Sequence, residues 1–175
     1  MAATSGRVLV VDDSEAIRRL IRVNLELEGF EVVTAADGAE CLEVVRRVAP
    51  DVVTLDVVMP RLDGLRTAAR LRAARETAHL PIAIVSACTP ADLERGESVG
   101  VDGYLAKPFD PADLIELVLR LRAMDRPAAP GAGRRFAYDF GGAMSAISWP
   151  PDRNLQDFAL GEQAQELVPP DESRP

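Results

Sequence analysis

Residues 8–14, VLVVDDS, join a short apolar run to two acidic residues and a serine. The run is rich in β-branched side chains, which favours a buried strand. Ser14 is a good helix N-cap, and apolar residues follow it at helical spacing up to the glycine at position 29. The stretch therefore predicts a strand, a turn that carries Asp12 and Asp13, and a helix.

This unit recurs along the chain, because four more apolar runs at 31–35, 52–55, 81–85 and 103–105 are each followed by a helical pattern. The strands are apolar almost throughout, which is typical of a parallel sheet covered by helices on both faces. Right-handed crossovers then give a doubly wound, flavodoxin-like (βα)5 sheet of five strands. We expect an α/β fold of this class over residues 6–124.

Polar side chains follow four of these strands, at the point where each strand ends. They are Asp12, Asp13, Asp56, Ser86 and Lys107. In a doubly wound sheet the ligand site lies beyond the carboxyl ends of the strands, so the fold gathers these residues at one edge. Three neighbouring carboxylates repel one another unless a cation joins them, and few carboxylates with room for water suit Mg²⁺.

Lys107 is the only lysine, so 19 of the 20 basic residues are arginine. Its compact ammonium reaches a phosphoryl oxygen as a point charge, which the broad guanidinium of arginine does less well. Beside Mg²⁺ and Lys107, one aspartate can act as a nucleophile and form an aspartyl phosphate. Asp56 is the best candidate because it stands alone after a central strand. Asp12 and Asp13 are then metal ligands, and the Ser86 hydroxyl donates to the phosphoryl group.

The composition excludes several other classes of protein. Apolar residues make up 47% of the 175 residues and aromatic residues only 5%, which predicts an aliphatic core. A net charge of −8 argues against a nucleic-acid-binding surface. The two cysteines predict free thiols rather than a disulfide framework. We expect a cytoplasmic protein without membrane insertion, because the sequence contains neither a signal peptide nor a long apolar run.

The composition changes after residue 124. Residues 125–134 are rich in Pro, Gly and Ala and predict a linker, and 135–175 predict a C-terminal tail that is disordered or loosely docked. This tail contains no helix-turn-helix-sized segment, so no DNA-binding output domain is recognisable. A sharper hypothesis is that its aromatic segment 135–140 and Trp149 pack on the folded domain or on a partner.

Four segments together resemble a bacterial response-regulator receiver domain of the chemotaxis-regulator type. They are residues 9–14 (LVVDDS), 55–64 (LDVVMPRLDG), 85–87 (VSA) and 107–109 (KPF). The resemblance covers residues 6 to about 124, with the segments in order and at suitable spacing. It implies a phosphoacceptor signalling domain, not an enzyme acting on a separate substrate.

By this resemblance, a histidine kinase or a histidine phosphotransfer protein transfers phosphate to Asp56 in a Mg²⁺-dependent reaction. Asp13 and Asp56 would bind Mg²⁺ directly, with Asp12 nearby or acting through water, and the backbone carbonyl of Val58 would complete the site. The apolar Val58 side chain positions no attacking water, so we expect slow to moderate self-hydrolysis. The Lys107-Pro108 peptide bond is expected to be cis.

The resemblance also implies a conformational switch. Ser86 would move toward the phosphoryl group while the ring of Tyr104 turns inward. The output surface would consist of the helix after Ser86, the fifth strand and the last helix, and it would contact a downstream protein that the sequence does not identify. A phosphorylation-dependent homodimer is a further outcome that the resemblance allows.

The alternative is a phosphate-independent, receiver-like adaptor whose tail binds a partner. Binding of beryllofluoride with Mg²⁺ separates the two, since an inert adaptor would not bind it through Asp56. Two other classes fit less well. A hydrolase using an aspartyl phosphate would need a second carboxylate at position 58, and a nucleotide or flavin module would need a Gly- or Ser-rich loop after the first strand.

Overall fold

Five parallel strands alternate with five helices in the computed structural model, which describes residues 5–87 and 89–124 and the backbone of 137–139. The strands of these units are β1 Arg7–Val11, β2 Glu31–Ala35, β3 Val52–Leu55, β4 Ile82–Ser86 and β5 Gly103–Ala106. The helices are α1 Glu15–Leu27, α2 Gly38–Val48, α3 Gly64–Ala73, α4 Pro90–Val99 and α5 Pro111–Arg122. Within the described part of the chain, no helix has both the length and the apolar character needed to cross a membrane.

The sheet has the strand order β2-β1-β3-β4-β5, with every neighbouring pair parallel. The strand β2 therefore lies on one side of β1, whereas β3, β4 and β5 follow one another on its other side. The predicted doubly wound, flavodoxin-like sheet is confirmed. Its switch point lies between β1 and β3, which places a crevice at the carboxyl ends of these two strands.

Each helix begins where a side chain can accept a hydrogen bond from a free backbone N–H. The N-cap residues are Ser14, Asp37, Asp63, Thr89 and Asp110. Such caps satisfy amides that have no partner within the helix, and each typically contributes about 1 kcal/mol. Four of the caps, all except Asp37, lie in the segments that follow the strands of the predicted site, so the segments that start these helices also carry the residues at the sheet edge.

The core consists of two layers of aliphatic side chains, one on each face of the sheet. Leu9 and Val11 of β1 point to the layer under α2, α3 and α4, while Val8 and Val10 point to the layer under α1 and α5. All four are at most 1% exposed. This alternation pins the register of β1, since a shift by one residue would exchange the two faces.

A sixth short strand, β6 Ala137–Asp139, pairs in parallel with β5 at the edge of the sheet. Its register places Ala137 beside Gly103 and Asp139 beside Leu105. The strand was not predicted, although it falls within the aromatic segment for which packing was hypothesised. The predicted linker 125–134, Trp149 and the rest of the tail lie outside the described residues.

Candidate functional site

The carboxyl ends of β1 and β3 bring three carboxylates together. Oxygens of Asp12, Asp13 and Asp56 all lie within 4.8 Å of one another. Backbone hydrogen bonds hold two of these residues in line with the sheet, because the Asp12 N–H donates to Ala35 and the Asp56 N–H to Val11. Asp12 and Asp56 are buried and Asp13 is exposed, so the cluster has a closed floor and an open rim.

Lys107 reaches this cluster from the end of β5. Its Nζ donates to Asp12 Oδ2 at 2.6 Å and to Asp56 Oδ2 at 3.3 Å. Burial lowers the pKa of Lys107, but the hydrogen bond and charge of Asp12, together with Asp56, raise it by more. The net effect is a raised pKa, so the ammonium stays charged and ties the two carboxylates together across 51 and 95 positions of sequence.

Asp12 is held on both of its carboxylate oxygens. Oδ2 accepts from Lys107 and Oδ1 accepts from the backbone N–H of Ser14 at 2.8 Å. Its pKa is raised because burial outweighs these two hydrogen bonds, and the nearby charge of Asp56 adds to the rise. Arg18, which no sequence motif marks, donates to the Asp12 carbonyl at 2.7 Å. Asp12 therefore anchors the lysine and the start of α1.

The loop between β3 and α3 passes close to Asp56. A Cβ at Gly64 would lie 1.9 Å from the Asp56 carbonyl oxygen, so only glycine permits this approach. The Gly64 N–H donates to the Val57 carbonyl, and Asp63 caps α3. Val58 lies in the same loop with its side chain 76% exposed. Asp63 and Gly64 shape the loop, and neither contributes a side chain to the carboxylate cluster.

An ion pair that was not predicted ties the same loop to α2. Arg61, which has a positive φ of 62°, donates to the buried carboxylate of Asp37. Burial raises the pKa of Asp37, but hydrogen bonds from the Glu40 amide and from Arg61 lower it by more, so the net shift is downward. No local sequence pattern marks this pair, because Asp37 and Arg61 are 24 residues apart.

Ser86 and Tyr104 lie on neighbouring strands at the other side of the cluster. Ser86 is 4% exposed at the last position of β4, and its carbonyl accepts from the Lys107 N–H. Tyr104 is 2% exposed on β5, and its hydroxyl donates to the Leu93 carbonyl of α4 at 3.1 Å. The Lys107-Pro108 peptide bond is cis, which confirms the prediction. Cys88, two residues after Ser86, lies outside the described residues.

Residues 8–119 match the family model described as the response regulator receiver domain. The chain belongs to this receiver family. Among curated relatives, it is 42% identical over 137 residues to a response regulator MprA of Mycolicibacterium vanbaalenii and 42% identical over 125 residues to that of Mycobacterium leprae. The two alignments cover 77% and 71% of this chain but 57% and 53% of the relatives, so the chain spans about half the length of either.

Solved structures agree with the receiver assignment. The chemotaxis protein CheY4 of Vibrio cholerae is 35% identical with a TM-score of 0.65, and the match covers 68% of this chain and 99% of CheY4. A response regulator described as putative from Chloroflexus aurantiacus is 32% identical with a TM-score of 0.65, covering 68% and 98%. The protein thus contains the receiver domain of a two-component response regulator, with an acidic pocket at the ends of β1 and β3.

Proposed function

We propose that this receiver accepts a phosphoryl group on Asp56 from a histidine kinase or a histidine phosphotransfer protein. The observation that carries the proposal is the position of Asp56. It follows the central strand β3, is 7% exposed, and lies 3.3 Å from the ammonium of Lys107. A carboxylate that is nearly buried but borders an open cluster can meet a donor without being surrounded by bulk water.

In the proposed reaction, a carboxylate oxygen of Asp56 attacks the phosphorus of a phosphohistidine. The new P–O bond forms as the P–N bond breaks, and the bonding pair leaves with the imidazole nitrogen. Lys107 would balance charge on the phosphoryl oxygens as they approach, since its ammonium already lies beside Asp56. This chain supplies the acceptor and the counter-charge, and the donor protein supplies the leaving group, so no separate substrate is turned over.

The pocket fits a bound Mg²⁺ by the chemistry of its donors. Three carboxylates within 4.8 Å of one another form the oxygen-rich site that Mg²⁺ prefers. Both carboxylate oxygens of Asp12 already accept hydrogen bonds, from Lys107 and from Ser14. We therefore assign direct contact with Mg²⁺ to Asp13 and Asp56, and contact through water to Asp12. The Val58 carbonyl completes the set of ligands. When bound, Mg²⁺ would neutralise charge that develops on the transferring phosphoryl group.

The output surface we propose is the face formed by α4, β5 and α5. Ser86 ends β4 beside the pocket, and Tyr104 lies on β5 in contact with α4, so both border this face. A shift of Ser86 toward a phosphoryl group would displace β4 and the neighbouring β5. This displacement would alter the surface offered to a downstream protein. A phosphorylation-dependent homodimer through the same face is included in this proposal.

We also propose the division into a receiver at 6–124, a linker at 125–134 and a tail at 135–175. One observation favours the alternative function, a phosphate-independent adaptor whose tail binds a partner. The tail strand β6 pairs with β5, which belongs to the proposed output face. If pairing with β6 is the main role of this edge, the domain could act without phosphate, and the following experiment distinguishes the two functions.

The test is phosphorylation by a small phosphoramidate donor with Mg²⁺, followed by intact-mass analysis, and binding of beryllofluoride with Mg²⁺. Wild type should gain one phosphoryl group and bind beryllofluoride, and Asp56→Asn should do neither. Asp110→Asn is the matched control, since it removes the same charge from the N-cap of α5 and asparagine caps equally well. Modification of the Asp56→Asn variant, or no reaction of wild type, would favour the adaptor.

A further inference from the structure

Gly96 occupies an unfavourable place for a glycine. It is the seventh of the ten residues of α4, where the backbone freedom of glycine disfavours the helix relative to alanine. A glycine in a helix interior therefore calls for a reason in packing or function. Its φ is not positive, so helix geometry alone does not require glycine here.

The reason lies directly beneath it. A Cβ added to Gly96 would lie 1.9 Å from the hydroxyl oxygen of Tyr104 and 2.9 Å from the ring carbon that carries this hydroxyl. The phenol end thus fills the volume that any side chain at position 96 would need. One turn earlier in the helix, the Leu93 carbonyl accepts the Tyr104 hydroxyl at 3.1 Å. Gly96 and Leu93 together form a slot for the phenol under α4.

Two side chains of α4 pack against the core, Leu93 and the half-buried Val99, and the Tyr104 phenol adds a contact between them. Leu93 and Gly96 are its buried residues, so it buries one side chain, whereas α5 buries four leucine or valine side chains. Leu93 itself keeps 7% of its surface exposed. The phenol of Tyr104 therefore meets α4 at its centre, between Leu93 and Val99, and the positions of ring and helix depend on one another.

The slot is also connected to the acidic pocket. Tyr104 pairs with Ile84, and Ser86 lies two residues further along β4 on the same face of the sheet. The Ser86 carbonyl accepts from the N–H of Lys107, whose side chain contacts Asp56. Tyr104 thus contacts α4 directly and lies on β5, three positions before the lysine of the pocket.

We propose that Gly96 is a positioning residue of the signalling response. By leaving the slot open, it lets the Tyr104 phenol fit beneath α4 and couples the position of this helix to events at Asp56. The inference rests on the proposed function, because phosphorylation of Asp56 is the event to which α4 responds. A side chain at position 96 expels the phenol, so α4 no longer follows the pocket, while the residues that carry out the chemistry stay in place.

The experiment is a double-mutant cycle with Gly96→Ala and Tyr104→Ala in the full chain. In the Tyr104 background, Gly96→Ala should lower the unfolding midpoint, because methyl and hydroxyl compete for one volume. In the Tyr104→Ala background it should raise the midpoint, because the better helix former then meets open space. Ser98→Ala, at an exposed position of α4, is the control and should behave alike in both backgrounds.

A second readout separates signalling from packing alone. Beryllofluoride with Mg²⁺ should change the hydrogen exchange of α4 in wild type and in Ser98→Ala, but not in Gly96→Ala. The affinity of Gly96→Ala for beryllofluoride should fall by only about fivefold, a typical coupling factor between sites. A normal α4 response in Gly96→Ala, or additive effects in the cycle, would overturn the inference.

Failure of the inference can be told apart from failure of the proposed function. If wild type does not bind beryllofluoride, the phosphorylation proposal fails. The double-mutant cycle still tests whether side chains at positions 96 and 104 compete for one volume. If Gly96→Ala does not fold but the double variant does, the competition for the slot is supported. If neither folds, Gly96 is needed for another reason and the inference is wrong.

Discussion

The acidic pocket at the ends of β1 and β3 and the helix α4 on one face of the sheet are held in opposite ways. In the pocket, Asp12 accepts hydrogen bonds on both carboxylate oxygens, and Lys107 contacts two carboxylates. Helix α4 buries the side chain of Leu93, packs the half-buried Val99 against the core and receives the Tyr104 hydroxyl at its centre. The groups proposed for chemistry are thus held in place by several bonds, whereas the element proposed for output is lightly held and can move at low cost.

The largest effect that tests this contrast is expected from Lys107→Arg. The net charge is unchanged, but a planar guanidinium cannot replace a compact ammonium placed between Asp12 and Asp56. We expect phosphorylation of Asp56 to slow by about tenfold, less than for loss of a charged donor. The response of Ser86 and Tyr104 should be nearly abolished, which hydrogen exchange of β4, β5 and α4 with and without beryllofluoride would measure. A normal response would show that α4 does not depend on the lysine.

The next effect concerns the packing of two helices on the same sheet. Leu117 of α5 is 1% exposed inside a core layer, so Leu117→Ala should cost about 3 kcal/mol of unfolding free energy. Leu93 of α4 lies at the edge of the other layer, and Leu93→Ala should cost roughly half as much. Urea unfolding of both variants measures the difference. Equal losses would mean that α4 is anchored as firmly as α5.

A smaller effect should be visible without any substitution. Helices with few buried apolar contacts open more often than core elements, and their amides exchange faster. Peptides that cover α4 should exchange about tenfold faster than peptides that cover α5, which corresponds to about 1.4 kcal/mol in opening free energy. Hydrogen exchange followed by mass spectrometry checks this. Equal protection of both helices would remove the contrast between pocket and output helix.

The smallest effect is the dependence of stability on alkaline pH. Folding raises the pKa of Lys107 above its ordinary value of 10.5, so its contribution to stability is complete below that value and is lost as the pH rises through the folded-state pKa. The stability difference between wild type and Lys107→Gln should shrink above about pH 10.5. Other alkaline titrations, including that of Cys41 with a pKa raised by burial to about 12, occur in both proteins and cancel. A difference that grows with pH would contradict the assignment.

The sequence predicted much of the fold because its signals are local. Apolar runs gave five strands, and Ser14 gave the start of α1 at the observed position. The helical pattern after Asp63 continues to about residue 75, whereas α3 ends at Ala73, the backbone becomes extended at Ala74 and the Thr77 hydroxyl donates to the Leu71 carbonyl. A difference of two residues lies within the range over which helix ends vary.

What the sequence alone determined is which residues stand at the strand ends. Any parallel doubly wound sheet brings its carboxyl ends to one edge, so residues that follow strands become neighbours whatever their separation. The contacts of Arg61 with Asp37 and of Gly96 with Tyr104 were decided only by the tertiary structure. They depend on distances between elements that no local pattern encodes. The role of a glycine within a helix, for example, can be read only when the ring packed beneath it is known.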